Sequence, residues 1–86
     1  LQIVDRVAET VRYHRENYDG TGYLEGLRGE AIPLLSRILA VADFTDRHRR
    51  RDETDAQIAA ALRECAGHAF DPRCTKVMCG MLTERM

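Results

Sequence analysis

Pro33 to Arg47 reads PLLSRILAVADFTDR, and this stretch decides the fold. Leu34, Leu35, Ile38, Leu39, Val41, Ala42 and Phe44 cover most of the circumference of a helix, a pattern that belongs to a buried element rather than to an amphipathic surface one. Pro33 suits the first helical turn, where an N–H would have no partner in any case. The stretch therefore predicts the buried central helix of a domain, ending near Arg47. Asp43 stands inside it, between Ala42 and Phe44, with Asp46 three residues on. Burying a lone carboxylate is very costly. Asp43 must therefore ligate a cation, lie on an exposed rim, or pair, as Asp46 also can, with the arginines that follow.

Outward from this helix the signals are local. Upstream, Leu1, Val4, Ala8 and Val11, flanked by Ile3 and Val7, recur at helical spacing and predict a helix over residues 1–17 with His14 on its inward stripe. Gly20, Gly22, Gly26 and Gly29 then break regular structure, giving a loop from about Tyr18 to Ile32. Downstream, Thr54 with Gln57 three residues on forms a capping box and starts a third helix through Ile58, Ala61 and Leu62. Gly67 is its C-terminal stop. Asp71 followed by Pro72 is a cap plus first-turn proline, starting a fourth helix through Val77, Met78, Met81 and Leu82. There are no repeats, low-complexity tracts or strand-like alternation, so the fold class is all-α with about four helices. One amphipathic helix and one apolar nearly all round make a thin core. Apolar faces are expected to be covered by another part of a parent chain or by a second copy.

The 86 residues make one small domain, 44% hydrophobic and 31% charged, a balance typical of soluble globular proteins. A net charge of −1 gives the whole molecule no bias toward nucleic acid or an anionic membrane. No apolar run approaches the ~20 residues that span a bilayer. The sequence opens at Leu1 inside an amphipathic pattern, from which an excised piece of a larger protein is expected. Cys65, Cys74 and Cys79 are odd in number and form no C-x-x-C pair, so reduced, packed thiols in a cytoplasmic protein are expected.

The candidate site lies in His14 to Glu30, HRENYDGTGYLEGLRGE. On a continuous helix His14 and Glu16 point roughly 200° apart and cannot both face one ion. Asp19 and Glu30 occupy the first and last positions of a possible calcium loop, but Leu24 stands where that loop needs glycine, which rejects the reading. Gly20-Thr21-Gly22 alone is too weak for a phosphate loop.

Taken in order, His14, Glu16, Asp19-Gly20-x-Gly22-Tyr23, Gly26-Leu27-x-Gly29-Glu30-x-Ile32-Pro33, Arg37-Ile38-Leu39-Ala40-Val41-Ala42-Asp43, Ala66-Gly67 and Phe70-Asp71-Pro72 resemble an HD-GYP domain. The resemblance runs from Leu1 to about Leu82, and makes residues 1–86 the C-terminal part of such a domain. It implies a bacterial signalling protein and a metal-dependent phosphohydrolase that linearises or degrades cyclic di-GMP, with iron or manganese as the divalent metal. The family signature is H-H-E-x-x-D-G-x-G-Y-P. His14 matches its first histidine and Asp43 its later aspartate, so both are implied metal ligands. Tyr23 matches the loop tyrosine associated with substrate phosphate, and Leu24 replaces the proline. Within Arg47 to Arg51, Arg49 is the candidate for the family's phosphate-contacting arginine.

Two departures shape the expectation. Arg15 stands at the second histidine, and guanidinium cannot ligate because it has no free acceptor pair. The eponymous His-Asp pair belongs to a stretch N-terminal to the motif that this sequence does not contain. Two matched ligands are too few for chemistry that needs two or three bridged ions, so no residue here is assigned as catalytic and the chain alone is expected to be inactive. The implied partners are the missing N-terminal half of the domain or a second copy in a homodimer. Alternatively the chain is a non-enzymatic module, contacting a GGDEF-type partner through Asp19, Gly20, Gly22 and Tyr23, or binding cyclic di-GMP through Arg28 and Arg47 to Arg51. Nucleic acid is excluded as a partner, because Asp43, Asp46, Asp52, Glu53 and Asp55 offset the arginine run.

Overall fold

Thr54 caps its helix as the spacing requires: its hydroxyl accepts the Gln57 amide at 3.1 Å, and the Gln57 side chain accepts the Thr54 amide at 2.8 Å. Asp71 does the same for the last helix, its Oδ1 accepting the Arg73 amide at 2.8 Å. Between such punctuation marks the computed structural model, which describes residues 2–22 and 24–84, is all-α. The helices are α1 (Gln2–Tyr13), α2 (Leu34–Arg49), α3 (Asp55–Cys65) and α4 (Pro72–Glu84), with a 3₁₀ turn at Gly29–Ala31. Gly67 takes a φ of +83° just past α3, the left-handed conformation that ends a helix at least cost in glycine. No helix among the described residues is long and apolar enough to cross a membrane. All three cysteines are free thiols.

The first helix ends at Tyr13 instead of running on toward residue 17. Its last carbonyls are claimed locally: the His14 ring bonds the Val11 carbonyl, and the Glu16 amide turns back to the Tyr13 carbonyl. The premise that His14 and Glu16 share one helix therefore fails. The expected inward stripe is also reversed. Ile3, Val4, Val7 and Val11 are 78, 61, 59 and 54% exposed, and α1 contributes no buried residue. It lies on α2 instead, where the fully buried Ser36 hydroxyl donates to the Thr10 carbonyl at 3.0 Å.

Helix α2 is central, as expected, but its buried side is not the leucine-rich one. Ser36, Arg37, Ala40, Val41 and Thr45 are buried, whereas Leu34, Leu35 and Ile38 are about half exposed. Ser36 is covered by α1, while Val41 faces α3 and α4 and joins Ile58, Ala59, Leu62, Cys79 and Leu82 in the core. Phe44 and Phe70 close its edge in a T-shaped pair 5.2 Å apart.

One buried ion pair ties the loop, α2 and α4 together. Arg37 donates from Nε to the Ile32 carbonyl and from Nη1 to Asp71 Oδ2, both at 2.9 Å. Asp71 is 1% exposed and Arg37 9%. Burial pushes the Asp71 carboxyl up, but the hydrogen bonds from Arg37 and from the Arg73 amide and guanidinium outweigh it and hold the group below its usual range. A carboxyl more acidic folded than unfolded stabilises fully above the ordinary value of about 4, and that contribution fades as pH falls through the lower folded value. Thermal melts are thus expected to show Tm falling steeply below about pH 4, with Asp71→Asn removing part of that slope while lowering Tm at neutral pH.

Candidate functional site

The end of α1, the middle of α2 and the turn between α3 and α4 enclose a cleft of about 270 Å³. His14, Arg15, Asn17, Asp43, Arg47 and Phe70 are among the residues lining it. The fold therefore brings His14 and Asp43, far apart in sequence, into one site. Because a carbonyl only accepts, the contact between His14 Nδ1 and the Val11 carbonyl puts a proton on Nδ1, so that Nε2 is the nitrogen a ligating neutral ring would offer. A backbone carbonyl holding the other ring nitrogen is the usual arrangement around a ligating imidazole. Asp43 Oδ2 is engaged by Arg47 Nε at 3.2 Å, and Asp46 by Arg50 at 3.0 Å, both one helical turn apart. Asp43 thus combines two of its expected settings, paired and on a partly exposed rim.

This donor set does not complete a metal site. Among the described residues no group of three or more His, Cys, Asp or Glu side chains is placed to hold an ion. The two candidate ligands share their cleft with Arg15, a fixed positive charge with no acceptor to offer. An ion held there would need further ligands from outside these residues.

Beside the cleft, the loop is clamped to the end of α1 by Glu16, 3% exposed. Its Oε2 accepts the Leu27 amide at 2.8 Å and the Glu25 amide at 3.3 Å, while Oε1 is buried without a partner among the described residues. The stem of the loop closes on itself, Gly29 N–H to the Tyr18 carbonyl at 2.8 Å and Arg28 Nε to the Asp19 carbonyl at 3.2 Å. It is also stitched to the α3–α4 turn, Tyr18 and Asp19 amides donating to Ala69 and His68 carbonyls at 3.1 and 2.9 Å. Asp19 Oδ1 accepts the hydroxyl and amide of Thr21 at 2.6 and 3.0 Å, and these bonds lower its pKa.

Gly22 makes this fit possible. A Cβ there would lie 2.6 Å from Glu16 Oε1 and 2.8 Å from the Asn17 backbone nitrogen. Since backbone cannot yield as a side-chain tip can, Gly22→Ala is expected to push the loop off Glu16. Faster hydrogen exchange at the Glu25 and Leu27 amides, with the α3 amides unchanged, is the readout.

Arg49 lies elsewhere. It reaches Asp55 at 3.3 Å and lines a separate cleft with Thr45 and Met78, so within Arg47 to Arg51 it is Arg47 that shares the site with His14 and Asp43. Tyr23 lies outside the described residues. Sequence reasoning missed Glu16 as the loop clamp. The available signal was an acidic residue next to a glycine-rich loop, whose many amides need acceptors.

Comparison with known proteins bears on this geometry. A family model described as HD domain matches residues 1–74. The cyclic di-GMP phosphodiesterase response regulator RpfG of Xanthomonas campestris pv. campestris is 44% identical over 71 residues, which are 76% of this chain and 18% of that protein. The 3′3′-cGAMP-specific phosphodiesterase 2 of Vibrio cholerae is 34% identical over 83 residues, 91% of this chain and 15% of its own length. A crystal structure of a cyclic GMP-AMP-specific phosphodiesterase of V. cholerae superposes with a TM-score of 0.82 at 31% identity, covering 91% of this chain and 18% of that one. The chain thus spans less than a fifth of the length of these relatives.

Proposed function

We propose, from the premise that this chain belongs to the HD domain family, that it forms the C-terminal part of an HD-GYP-type cyclic-dinucleotide phosphodiesterase domain and is catalytically silent alone. The observation that carries this reading is the meeting of His14 and Asp43 in one cleft beside the clamped Asp19–Gly29 loop. The family is metal-dependent. Iron or manganese would supply charge stabilisation for attack on phosphorus, and this chain brings two of the side chains such an ion needs. Their companions belong to whatever packs on the uncovered apolar surface. One groove of about 480 Å³ runs along α1 and α2 beside Ile3, Val7, Val11 and Leu35. Another of about 530 Å³ continues to Val77 and Met81 on α4. Ile3, Val7, Val11, Leu35, Val77 and Met81, all more than half exposed along these grooves, are a run of apolar side chains suited to docking, fitting either the rest of the domain or a second copy.

A second reading, a non-enzymatic module, is favoured by Arg15 in the cleft. In it the Asp19, Gly20 and Gly22 loop, with Tyr23, meets a GGDEF-type partner while chemistry is absent. Metal content by mass spectrometry after loading with Mn²⁺ and Fe²⁺, followed by hydrolysis assays on cyclic di-GMP and 3′3′-cGAMP, tests the main reading. Well below one ion per chain and no turnover are expected. Stoichiometric metal with turnover by the 86-residue chain would sink the claim that it is silent.

A further inference from the structure

The His14–Asp43 cleft fails as a metal site for a reason that suits another ligand. Its carboxylates offer an ion little: Asp43 is engaged by Arg47 at 3.2 Å and Glu16 Oε2 by the loop amides, while Glu16 Oε1 has no partner among the described residues but is buried beside Gly22. Arg15 enters no ion pair among the described residues. Glu16 enters none either but is only 3% exposed, so Arg15 stands as the solvent-exposed charge of the cleft without an ion-pair partner, and it is positive. Around it are groups that donate rather than ligate: the Asn17 amide, bonded to the Thr21 hydroxyl at 3.0 Å, and the guanidinium of Arg47.

We propose that Arg15 makes this cleft a metal-independent anion site, which holds one phosphodiester of a cyclic dinucleotide through its guanidinium. This rests on the cyclic-dinucleotide reading above. A planar guanidinium fork matches two phosphate oxygens with parallel hydrogen bonds. The cleft's about 270 Å³ lies just below the range of ~300–1,000 Å³ that encloses a drug-sized ligand. It therefore takes one phosphate and its sugars, and the rest of the ring lies across the neighbouring surface. Where a metal would polarise the phosphate and generate a nucleophile, Arg15 supplies charge without activating water, so the site binds and does not cleave.

The test is isothermal titration of the 86-residue chain with cyclic di-GMP, once in excess EDTA and once in saturating Mn²⁺. Binding is expected in both buffers with Kd within about twofold, because no ion takes part. In EDTA, Arg15→Ala should weaken binding by about tenfold or more, and Arg15→Lys by less, since an ammonium keeps the charge and loses the fork. Arg63→Ala, on the exposed side of α3, should bind as the unsubstituted chain does. Arg15 is exposed, so its variants fold, and far-UV circular dichroism checks that they do. Binding that appears only with Mn²⁺, or Arg15→Ala binding as tightly as the parent, would overturn this inference and leave the cyclic-dinucleotide reading standing. No binding in either buffer would overturn this inference, whereas the cyclic-dinucleotide reading stands or falls on the metal and hydrolysis assays above.

Discussion

Arg37→Ala is expected to cost about 3–5 kcal/mol, a large share of the total stability of a domain this size. The substitution leaves the Asp71 carboxylate, 1% exposed, with only the Arg73 amide and a guanidinium contact at 3.4 Å, and deprives the Ile32 carbonyl of its donor. It is this under-compensated charge, rather than the lost attraction, that dominates. The pair itself contributes little relative to apolar residues of the same volume, because two desolvation penalties offset its Coulomb energy. Arg37→Met combined with Asp71→Leu should therefore recover much of the loss, apart from the cap that Asp71 gives α4. Urea denaturation of the two single variants and the double completes the cycle. If Arg37→Ala moved the midpoint by less than the equivalent of about 1 kcal/mol, the ion pair would not be buried as described.

Leu62→Ala should cost about 2–5 kcal/mol. The side chain is fully buried on α3 among Val41, Ile58 and Leu82, where removed methyl groups leave a cavity that packed helices cannot collapse. A domain of this size holds roughly 4–13 kcal/mol in total, so the variant should lose a large share of its stability. Val7→Ala is the contrast. It deletes the same kind of atoms from a side chain 59% exposed, and should cost less than about 0.5 kcal/mol. Thermal melts of the two variants side by side would show which face of the bundle carries stability. Equal costs would mean that α1 is covered on the side that this structure leaves open.

These contrasts mark where sequence stops being informative. Helix starts are legible because capping is local: Thr54 with Gln57, and Asp71 with Pro72, announce themselves within four residues. Helical periodicity identifies the stripe of Ile3, Val4, Val7 and Val11, but periodicity belongs to one helix and carries no information about what lies beside it. The stripe reads as inward and faces out. The end of α1 is misplaced because His14 and Glu16 take its last carbonyls, a competition that spacing does not encode. Arg37 reads as an ordinary charged residue in a motif, since its partner is 34 positions away. Among the site residues, His14 and Asp43 are reached through the family resemblance and meet in one cleft. Glu16 escapes notice because its partners are backbone amides, which every residue but proline has.

The bare stripe of α1 has a kinetic side. A helix that buries nothing is the first unit to open and the last to close, so native-state exchange should place α1 in a separate foldon of lower protection than α3 and α4. His14 and Arg15 follow directly after that helix, which means the cleft exists only during the fraction of time α1 is docked. Whatever covers the stripe from outside slows that breathing, and by linkage it tightens any ligand in the cleft without touching it. Occupancy of the site is in this sense set by a surface that does not line it.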